Sequence, residues 1–132
     1  ADAERALDAL AAAGMKPERP PEGWLLKAHR GETLIDLIFR PAAGEIDDGY
    51  FERSERLEVA AQAMPVASLG DVLTTKLLAL TEQEPDLSSV LELARSLREQ
   101  IDWDFVRERT GEAPFARAFF TLVEELGVVE PA

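Results

Sequence analysis

The chain contains no cysteine and a single histidine, His29, among its 132 residues. The absence of cysteine excludes a disulfide framework, a thiolate metal site and a cysteine nucleophile. One histidine excludes a metal site built from several histidines and leaves little scope for a Ser-His-Asp triad. A chain without cysteine fits a reducing compartment, and we expect a cytoplasmic protein.

Positive charge is scarce as well, and long apolar runs are missing. The 14 Lys and Arg side chains stand against 26 Asp and Glu, which gives a formal net charge of −12. This charge argues against binding of nucleic acid or anionic lipid over a broad basic surface. A polyanionic ligand would therefore need a local basic cluster or a divalent ion. No apolar run approaches the roughly 20 residues of a membrane span, and no signal segment opens the chain. We therefore expect no membrane partner.

Apolar spacing and turn-forming residues divide the first half of the chain. Apolar residues at helical spacing ahead of Gly14 predict a helix, and two apolar runs around Arg30-Gly31-Glu32 predict a β-hairpin. The predicted elements are a helix over 2–13, an edge strand or extended loop over the proline-rich 15–23, a hairpin from 24–29 and 33–39, and a loop over 41–49.

The second half of the chain is predicted to be mainly helical. A third strand is expected over 57–67, and Ser68 to Asp71 has the pattern of a capping box that opens a helix. The predicted helices are 68–81, 86–100, 103–110 and a last one from Pro114 that ends before Gly127. This order predicts an α+β fold with a small mixed sheet in 1–67 and a helical portion of the same domain in 68–132.

The apolar run 33–39 carries one carboxylate, Asp36, at its middle. Apolar residues on both faces of this stretch predict a strand that is covered on both sides. Burial of an unpaired carboxylate there would cost several kcal/mol or raise its pKa, so something must compensate the charge. A divalent cation such as Mg²⁺, shared with substrate phosphates, is one solution. The alternative is an open strand face on which Asp36 meets water or an arginine.

Lys76 interrupts the apolar stripe of the helix predicted after residue 68. At about 100° per residue, Lys76 falls inside a stripe formed by Leu69, Val72, Leu73, Leu77 and Leu80. Thr74, Thr75 and Leu78 are predicted to lie away from this stripe. A lysine in such a position can contact a phosphate as a point charge. Alternatively, its stem packs on the stripe while its ammonium reaches water.

Asp86 and a basic cluster are two weaker candidates. Asp86 lies where a helix is predicted to start, so a helix N-cap is its simplest interpretation. The basic cluster brackets the predicted hairpin and consists of Lys27, His29, Arg30 and Arg40. It is either a solvated face or a docking point for phosphate or RNA.

Four segments of the sequence together resemble the bacterial nucleotidyltransferase-fold proteins. They are GWLLKAHRGETLIDLIFRP, YFERSERLEV, MPVASLGDVLTTKLLAL and ALTEQEPDLSSVLELARSLREQIDWDFVRERT. The chain is similar in particular to the branch that includes the AbiEii-type toxins of toxin–antitoxin systems. The resemblance covers essentially the whole chain.

This resemblance implies a minimal nucleotidyltransferase fold that binds NTP with Mg²⁺. In that family a Gly-Ser motif and an Asp-x-Asp pair on an early strand hold the metal-bound nucleotide, and a later strand adds a third carboxylate. Asp36 in LIDLIF matches this third carboxylate, a metal ligand. Lys76 in TTKLLAL matches a lysine of the following helix that contacts the triphosphate, and Asp86 matches an acidic residue that some toxin relatives use.

The Gly-Ser and Asp-x-Asp motif itself does not occur in the 132 residues. The acidic pair Asp47-Asp48 is not this motif, since it belongs to a predicted glycine-containing loop. Residues 2–13 look like the helix that directly follows this motif in relatives. We therefore hypothesise that the chain begins just downstream of the motif. A sheet edge left open by such a missing strand would invite pairing with another chain, so a homo-oligomer is one expectation.

Two functions from different classes are consistent with these residues. The first is metal-dependent transfer of a nucleoside monophosphate from NTP to an acceptor hydroxyl of a tRNA, a protein or a small molecule, with a toxin–antitoxin toxin as one such enzyme. The second is a non-catalytic, degenerate module of the same fold that binds a nucleotide or a partner protein such as an antitoxin. The enzyme needs two further carboxylates near Asp36, and the module does not.

Overall fold

A computed structural model describes residues 2–131 of the chain. Within these residues there are six α-helices and five β-strands: α1 (Asp2–Ala12), β1 (Lys16–Glu18), β2 (Leu25–Arg30), β3 (Thr33–Ile38), α2 (Asp48–Glu52), β4 (Glu55–Val59), β5 (Gln62–Val66), α3 (Leu69–Ala79), α4 (Ser88–Leu97), α5 (Trp103–Thr110) and α6 (Pro114–Glu125). A 3₁₀ turn at Arg98–Gln100 follows α4. The predicted α+β class, with strands ahead of the C-terminal helices, is confirmed.

The described chain divides between Ile46 and Asp47 into two compact units. The first unit contains α1 and a sheet in the order β1-β2-β3, and the second contains the β4–β5 hairpin and the remaining helices. The strand pairs of both sheets are antiparallel, whereas the sequence predicts a mixed sheet. The predicted boundary at residue 67 lies within the second unit, between β5 and α3.

The core of the first unit lies between α1 and one face of the β1-β2-β3 sheet. Strand residues alternate between the two faces, so every second residue of β2 and β3 points toward α1. The buried residues of this cluster are Leu7, Met15, Leu26 and Ala28, and the partly buried residues packed against them are Ala3, Leu10, Ile35 and Leu37. The core of this unit is therefore a two-layer packing of one helix on one sheet face.

The second unit is built around a helical core. Helices α3, α4, α5 and α6 each contribute buried apolar side chains to one cluster. Its fully or nearly fully buried members are Leu73, Leu77, Val90, Ala94, Ile101, Val106, Ala116, Phe119, Phe120 and Val123. None of the helices within residues 2–131 combines the length and the apolar character of a membrane-spanning segment.

Local capping signals place most helix ends where the sequence predicts them. The Ser68 hydroxyl accepts a hydrogen bond from the backbone N–H of Asp71, as expected of a capping box, and Asp102 caps α5 in the same way. Pro114 occupies the first turn of α6, and Gly14 ends α1 with a φ of +86°. A left-handed residue just after a helix is the usual place for glycine.

Two predicted segments differ from the structure. The single strand expected over 57–67 is a hairpin, because Ala60 and Ala61 both adopt positive φ and turn the chain between β4 and β5. The loop expected over 41–49 runs into the short helix α2, whose first turn is capped by the Asp47 carboxylate. Neither alanine carries a turn signal in the sequence, which is why the hairpin is missed.

Candidate functional site

Asp36 lies at the centre of β3, on the sheet face opposite α1. Its chain neighbours Ile35 and Leu37 pack toward the α1 core, so alternation directs Asp36 the other way. Leu34 and Ile38, which share its face, are 50% and 48% exposed. The expectation that this strand is covered on both sides is therefore wrong. The Asp36 carboxylate is reachable from solvent rather than buried among apolar side chains.

Lys27 compensates the charge of Asp36. The antiparallel register places Lys27 of β2 directly opposite Asp36, and the lysine Nζ donates to Oδ1 at 2.9 Å. The two side chains are 26% and 39% exposed, so water screens the pair and its contribution to stability is about 0–1 kcal/mol. The partner of Asp36 is thus a weakly held lysine on an open face, and the fold does not need a cation there.

A second side-chain contact lies on the same sheet face. The Nε2 atom of His29 is 2.7 Å from Oε2 of Glu18. The register also aligns Glu18 with Lys27, so Glu18, Lys27 and Asp36 form one row across the three strands. Arg30 donates to the Ala13 carbonyl instead, at 3.4 Å. The basic cluster predicted around the hairpin is therefore not a continuous positive surface.

Lys76 is exposed on α3. The buried residues of that helix are Gly70, Asp71, Leu73, Thr74 and Leu77, so its buried side is centred away from Lys76. The expectation that Lys76 lies inside the buried apolar stripe is therefore wrong. Thr74, which was expected to lie outside that stripe, is only 1% exposed. The Lys76 ammonium is in solvent, as in the alternative interpretation of the sequence.

Asp86 lies two residues before α4, next to the N-cap residue Leu87, and its carboxylate Oδ1 accepts a hydrogen bond from the backbone N–H of Ser88 at 2.8 Å. Hydrogen bonds from the side chain and backbone of Ser88 lower the pKa of Asp86 below its ordinary value. The side chain is exposed. Asp86 thus supports the helix start from one residue before the N-cap position that the sequence predicts for it.

The three predicted site residues belong to different parts of the chain. Asp36 is in the first unit, and Lys76 and Asp86 are in the second. A joint role of Asp36 and Lys76 at one triphosphate stays a prediction. Within residues 2–131, no group of three or more His, Asp or Glu side chains could hold a metal ion. Asp36 offers one carboxylate, which fits an ion whose other ligands are phosphate oxygens and water.

Sequence reasoning missed the best-connected polar cluster of the second unit. The guanidinium of Arg53 donates to both carboxylate oxygens of Asp71, at 2.9 and 2.8 Å, and the Ser68 hydroxyl donates to Oδ2 at 2.7 Å. The same guanidinium carbon lies 4.8 Å from the ring centroid of Phe105. The capping box signals the Ser68–Asp71 contact, but nothing in the sequence points to Arg53, which is 18 residues away from Asp71.

Burial and hydrogen bonding act in opposite directions on Asp71. Burial raises the pKa of this carboxyl, but the hydrogen bonds from Arg53 and Ser68, with the charges of Arg53 and Arg109, more than offset it and lower the pKa. Nearby, burial raises the pKa of the Tyr50 hydroxyl, and the negative charge of Asp71 raises it further. Asp71 is therefore ionised and fully engaged in holding α2 against the start of α3, which indicates a structural role.

The second unit also contains an open groove of about 840 Å³. Its lining residues are Arg98, Glu99, Ile101, Trp103, Asp104, Arg107, Glu124, Gly127, Val128, Val129, Glu130 and Pro131. Arg107 donates to Glu124 at 2.7 Å and to the Glu130 carbonyl at 3.1 Å, and it lies over the Phe120 ring. Arg98 donates to Glu99 at 2.9 Å. The positive charges of this groove are therefore already paired with groups of the chain.

Comparisons with known proteins add no relative: no protein-family model, curated protein or solved structure matches this chain.

Proposed function

We propose that the chain is a nucleotidyltransferase-family protein that transfers a nucleoside monophosphate from NTP to an acceptor hydroxyl in a metal-dependent reaction. The observation that carries this proposal is the position of Asp36, whose carboxylate lies at mid-strand on an open sheet face with a lysine beside it. A carboxylate in such a place is accessible to a metal-bound polyphosphate. The resemblance of LIDLIF and TTKLLAL to nucleotidyltransferase segments supports the same reaction class.

Each predicted site residue has a distinct role in this proposal. Asp36 would bind the metal; by the resemblance, Lys76 would neutralise phosphate charge and Asp86 would match an acidic residue that some toxin relatives use. Bound Mg²⁺ would supply activation of the attacking hydroxyl and stabilisation of the leaving pyrophosphate. Within residues 2–131 no group of three or more His, Asp or Glu side chains could hold a metal ion, so Asp36 would bind the ion together with phosphate oxygens and water.

The acceptor in this proposal is a tRNA end, a protein side chain or a small molecule. A net charge of −12 disfavours a large RNA acceptor unless a local basic contact supports it. A toxin of a toxin–antitoxin pair is the biological setting that the resemblance favours, with the antitoxin as a protein partner.

A non-catalytic module of the same fold is the second candidate, and a specific observation favours it. The Asp36 charge is already neutralised by Lys27, and no three-ligand metal group exists within residues 2–131. A module would bind a nucleotide or a partner protein without transferring any group.

Incubation with radiolabelled NTPs, Mg²⁺ and a cell extract tests both candidates. The extract supplies tRNA, protein and small-molecule acceptors, and the label is followed into each fraction. The decisive variant is Asp36→Asn, which removes the charge at constant shape. Glu58→Gln is the matched control, because Glu58 is also an exposed mid-strand carboxylate, opposite Ala63 in the β4–β5 hairpin.

The outcomes separate the candidates clearly. Mg²⁺-dependent labelling that is lost in Asp36→Asn and kept in Glu58→Gln supports the transferase. Binding of NTP without any labelled acceptor supports the module. If the chain neither binds NTP nor labels an acceptor, both nucleotide functions are refuted.

A further inference from the structure

We infer that the free edge of β3 binds an extended segment of a partner protein, with a lysine or arginine at the centre of that segment and an apolar residue two positions to either side. The segment would add a fourth strand to the β1-β2-β3 sheet. This inference rests on the second candidate function, a module that binds a partner protein, and it specifies the segment that the partner offers. Its central contact is with Asp36, which then serves the segment rather than a metal ion.

The strand β3 lies at an edge of its sheet with free backbone groups. The sheet order is β1-β2-β3, so β2 pairs with only one side of β3. The Phe39 N–H donates to the Trp24 carbonyl at 3.1 Å, which fixes the residues of β3 that bond to β2. Because backbone groups alternate in direction along an antiparallel strand, those of Leu34, Asp36 and Ile38 point away from β2. Such groups are a template for an added strand.

The opposite edge of the same sheet is blocked. Strand β1 has only three residues, and its register pairs Pro17 with Ala28 of β2. The alternation that directs the backbone of Ala28 toward β3 also directs the nitrogen of Pro17 toward the outer edge of β1. Proline has no N–H, so this edge cannot donate a hydrogen bond to an added strand at that position. A strand can therefore be added more favourably at β3.

Charges across the sheet select the residue opposite Asp36. The register aligns Glu18, Lys27 and Asp36 on the three strands, so negative, positive and negative side chains follow one another toward the open edge. Lys27 donates to Oδ1 of Asp36 at 2.9 Å, which leaves Oδ2 for a second cation. A lysine or arginine in the added strand would continue the alternation. Opposite charges directly across a sheet stabilise the pairing of strands, and like charges oppose it.

Leu34 and Ile38 define the residues that flank the basic one. Both lie two positions from Asp36 on the same sheet face, and both are about half exposed. Residues of an added strand that lie opposite them share this face. Apolar side chains at those two positions would remove Leu34 and Ile38 from water, whereas charged side chains would find no partner there.

A second copy of β3 fits this edge less well. Antiparallel pairing that places Leu34 opposite Ile38 of another copy also places the two Asp36 carboxylates opposite each other. These carboxylates would repel, and each chain carries a net charge of −12. Charge complementarity therefore favours a basic partner segment over a second copy.

Amide hydrogen exchange on the full chain tests this inference with two synthetic peptides. The first is a seven-residue peptide with lysine at its centre, valine two positions to either side and threonine elsewhere, and the second has glutamate in place of lysine. The lysine peptide should slow exchange of the Leu34, Asp36 and Ile38 amides at least about fivefold and leave Ile35 and Leu37, which already bond to β2, unchanged. The glutamate peptide should bind about three- to tenfold more weakly.

Two variants control the experiment. Asp36→Asn removes the charge at constant shape, so the affinities of the two peptides should then agree within about twofold. Glu32→Gln removes an exposed carboxylate from the turn between β2 and β3 and should keep the preference for the lysine peptide.

Several results would overturn the inference. The lysine peptide could fail to slow the three edge amides, could slow all amides of β3 alike, as docking on the sheet face would, or could bind no better than the glutamate peptide. Exchange of the edge amides that slows with protein concentration in the absence of peptide would mean that a second copy occupies the edge.

Failure of this inference is distinguishable from failure of the proposed function. The assay with labelled NTP contains neither peptide, so a negative result with the peptides leaves the nucleotide functions standing. A chain that fails to bind NTP but binds the lysine peptide at the β3 edge would be a module for a partner protein alone.

Discussion

At the scale of single residues, Asp71 is a carboxylate whose ionisation is coupled to folding. Its pKa in the folded chain lies below the ordinary value of 3.8, because hydrogen bonds from Arg53 and Ser68 outweigh the effect of burial. A lowered folded-state pKa stabilises the fold above the unfolded-state pKa, and this contribution is lost as the pH falls through the folded-state value. We therefore expect Asp71 to contribute to a loss of stability in acid.

Asp71→Asn tests this coupling. We expect the free energy of unfolding at pH 7 to fall by about 2 kcal/mol, less than for a fully buried pair because Arg53 is 36% exposed. Urea titrations at several pH values should also show a weaker decline below about pH 4 than in the unsubstituted chain. Glu82→Gln, in an exposed loop, is the control and should change neither quantity. An unchanged pH dependence in Asp71→Asn would contradict the assignment.

Thr74 is a second residue whose contribution can be measured. Thr74 is only 1% exposed, and its Oγ1 has no hydrogen-bond partner among the described residues. A buried hydroxyl without a partner loses its hydration without compensation. Thr74→Val keeps the shape and removes the polar atom, so we expect the free energy of unfolding to rise by about 1 kcal/mol in urea titrations.

Thr110 provides the matched control for Thr74. It is also buried, at 2% exposed, but its Oγ1 donates to the Val106 carbonyl at 2.7 Å. Thr110→Val should therefore leave stability unchanged or lower it. Equal destabilisation by both substitutions would show that Thr74 has a partner in solution.

At the scale of elements, the β4–β5 hairpin turns through an unfavourable pair of residues. Ala60 and Ala61 have φ values of +50° and +63°, the left-handed conformation that residues with a Cβ adopt at a cost. A two-residue hairpin with positive φ at both positions is a type I′ turn, for which Asn-Gly is the preferred sequence. The two alanines therefore lower the stability of the hairpin, whose strands β4 and β5 pair in a regular antiparallel register.

The double substitution Ala60→Asn and Ala61→Gly should stabilise this hairpin. We expect a gain of about 1 kcal/mol, seen as about fivefold slower hydrogen exchange of the β4 and β5 amides. Ala63→Gly is the control, because it adds the same flexibility at an extended strand position and should speed exchange. Faster exchange in the Asn-Gly variant would contradict the turn geometry.

At the scale of the whole molecule, the net charge of −12 is spread over a chain of 132 residues. Like charges on a compact chain repel each other, and salt shortens the distance over which they do so. We expect the midpoint of thermal unfolding at pH 7 to rise by about 2–5 °C between about 10 and 150 mM NaCl.

The same salt series near pH 4.5, the isoelectric point, is the control for this prediction. With little net charge, repulsion is small and added salt should change the midpoint much less. A midpoint at pH 7 that falls with salt would mean that attractive ion pairs outweigh the net repulsion.

The candidate site shows where prediction from sequence succeeded and where it failed. The run 33–39 correctly predicts a strand with Asp36 at its middle, because strand propensity and alternation are local. The sequence could not tell which face of that strand is covered, since this depends on how α1 packs against the sheet. Lys27 as the partner of Asp36 follows only from the register of β2 and β3. The role of either residue in nucleotide binding stays a prediction.

The amino-acid sequence by itself determined the α+β class, the first hairpin and the helix ends at Ser68, Asp102 and Pro114. These features depend on residues that are close together in the sequence, so short segments are enough to predict them. Only the tertiary structure decided that Asp36 is paired and exposed, that Lys76 is in solvent and that Arg53 clamps Asp71. Those outcomes depend on which elements pack together, and residues far apart in the chain set them jointly.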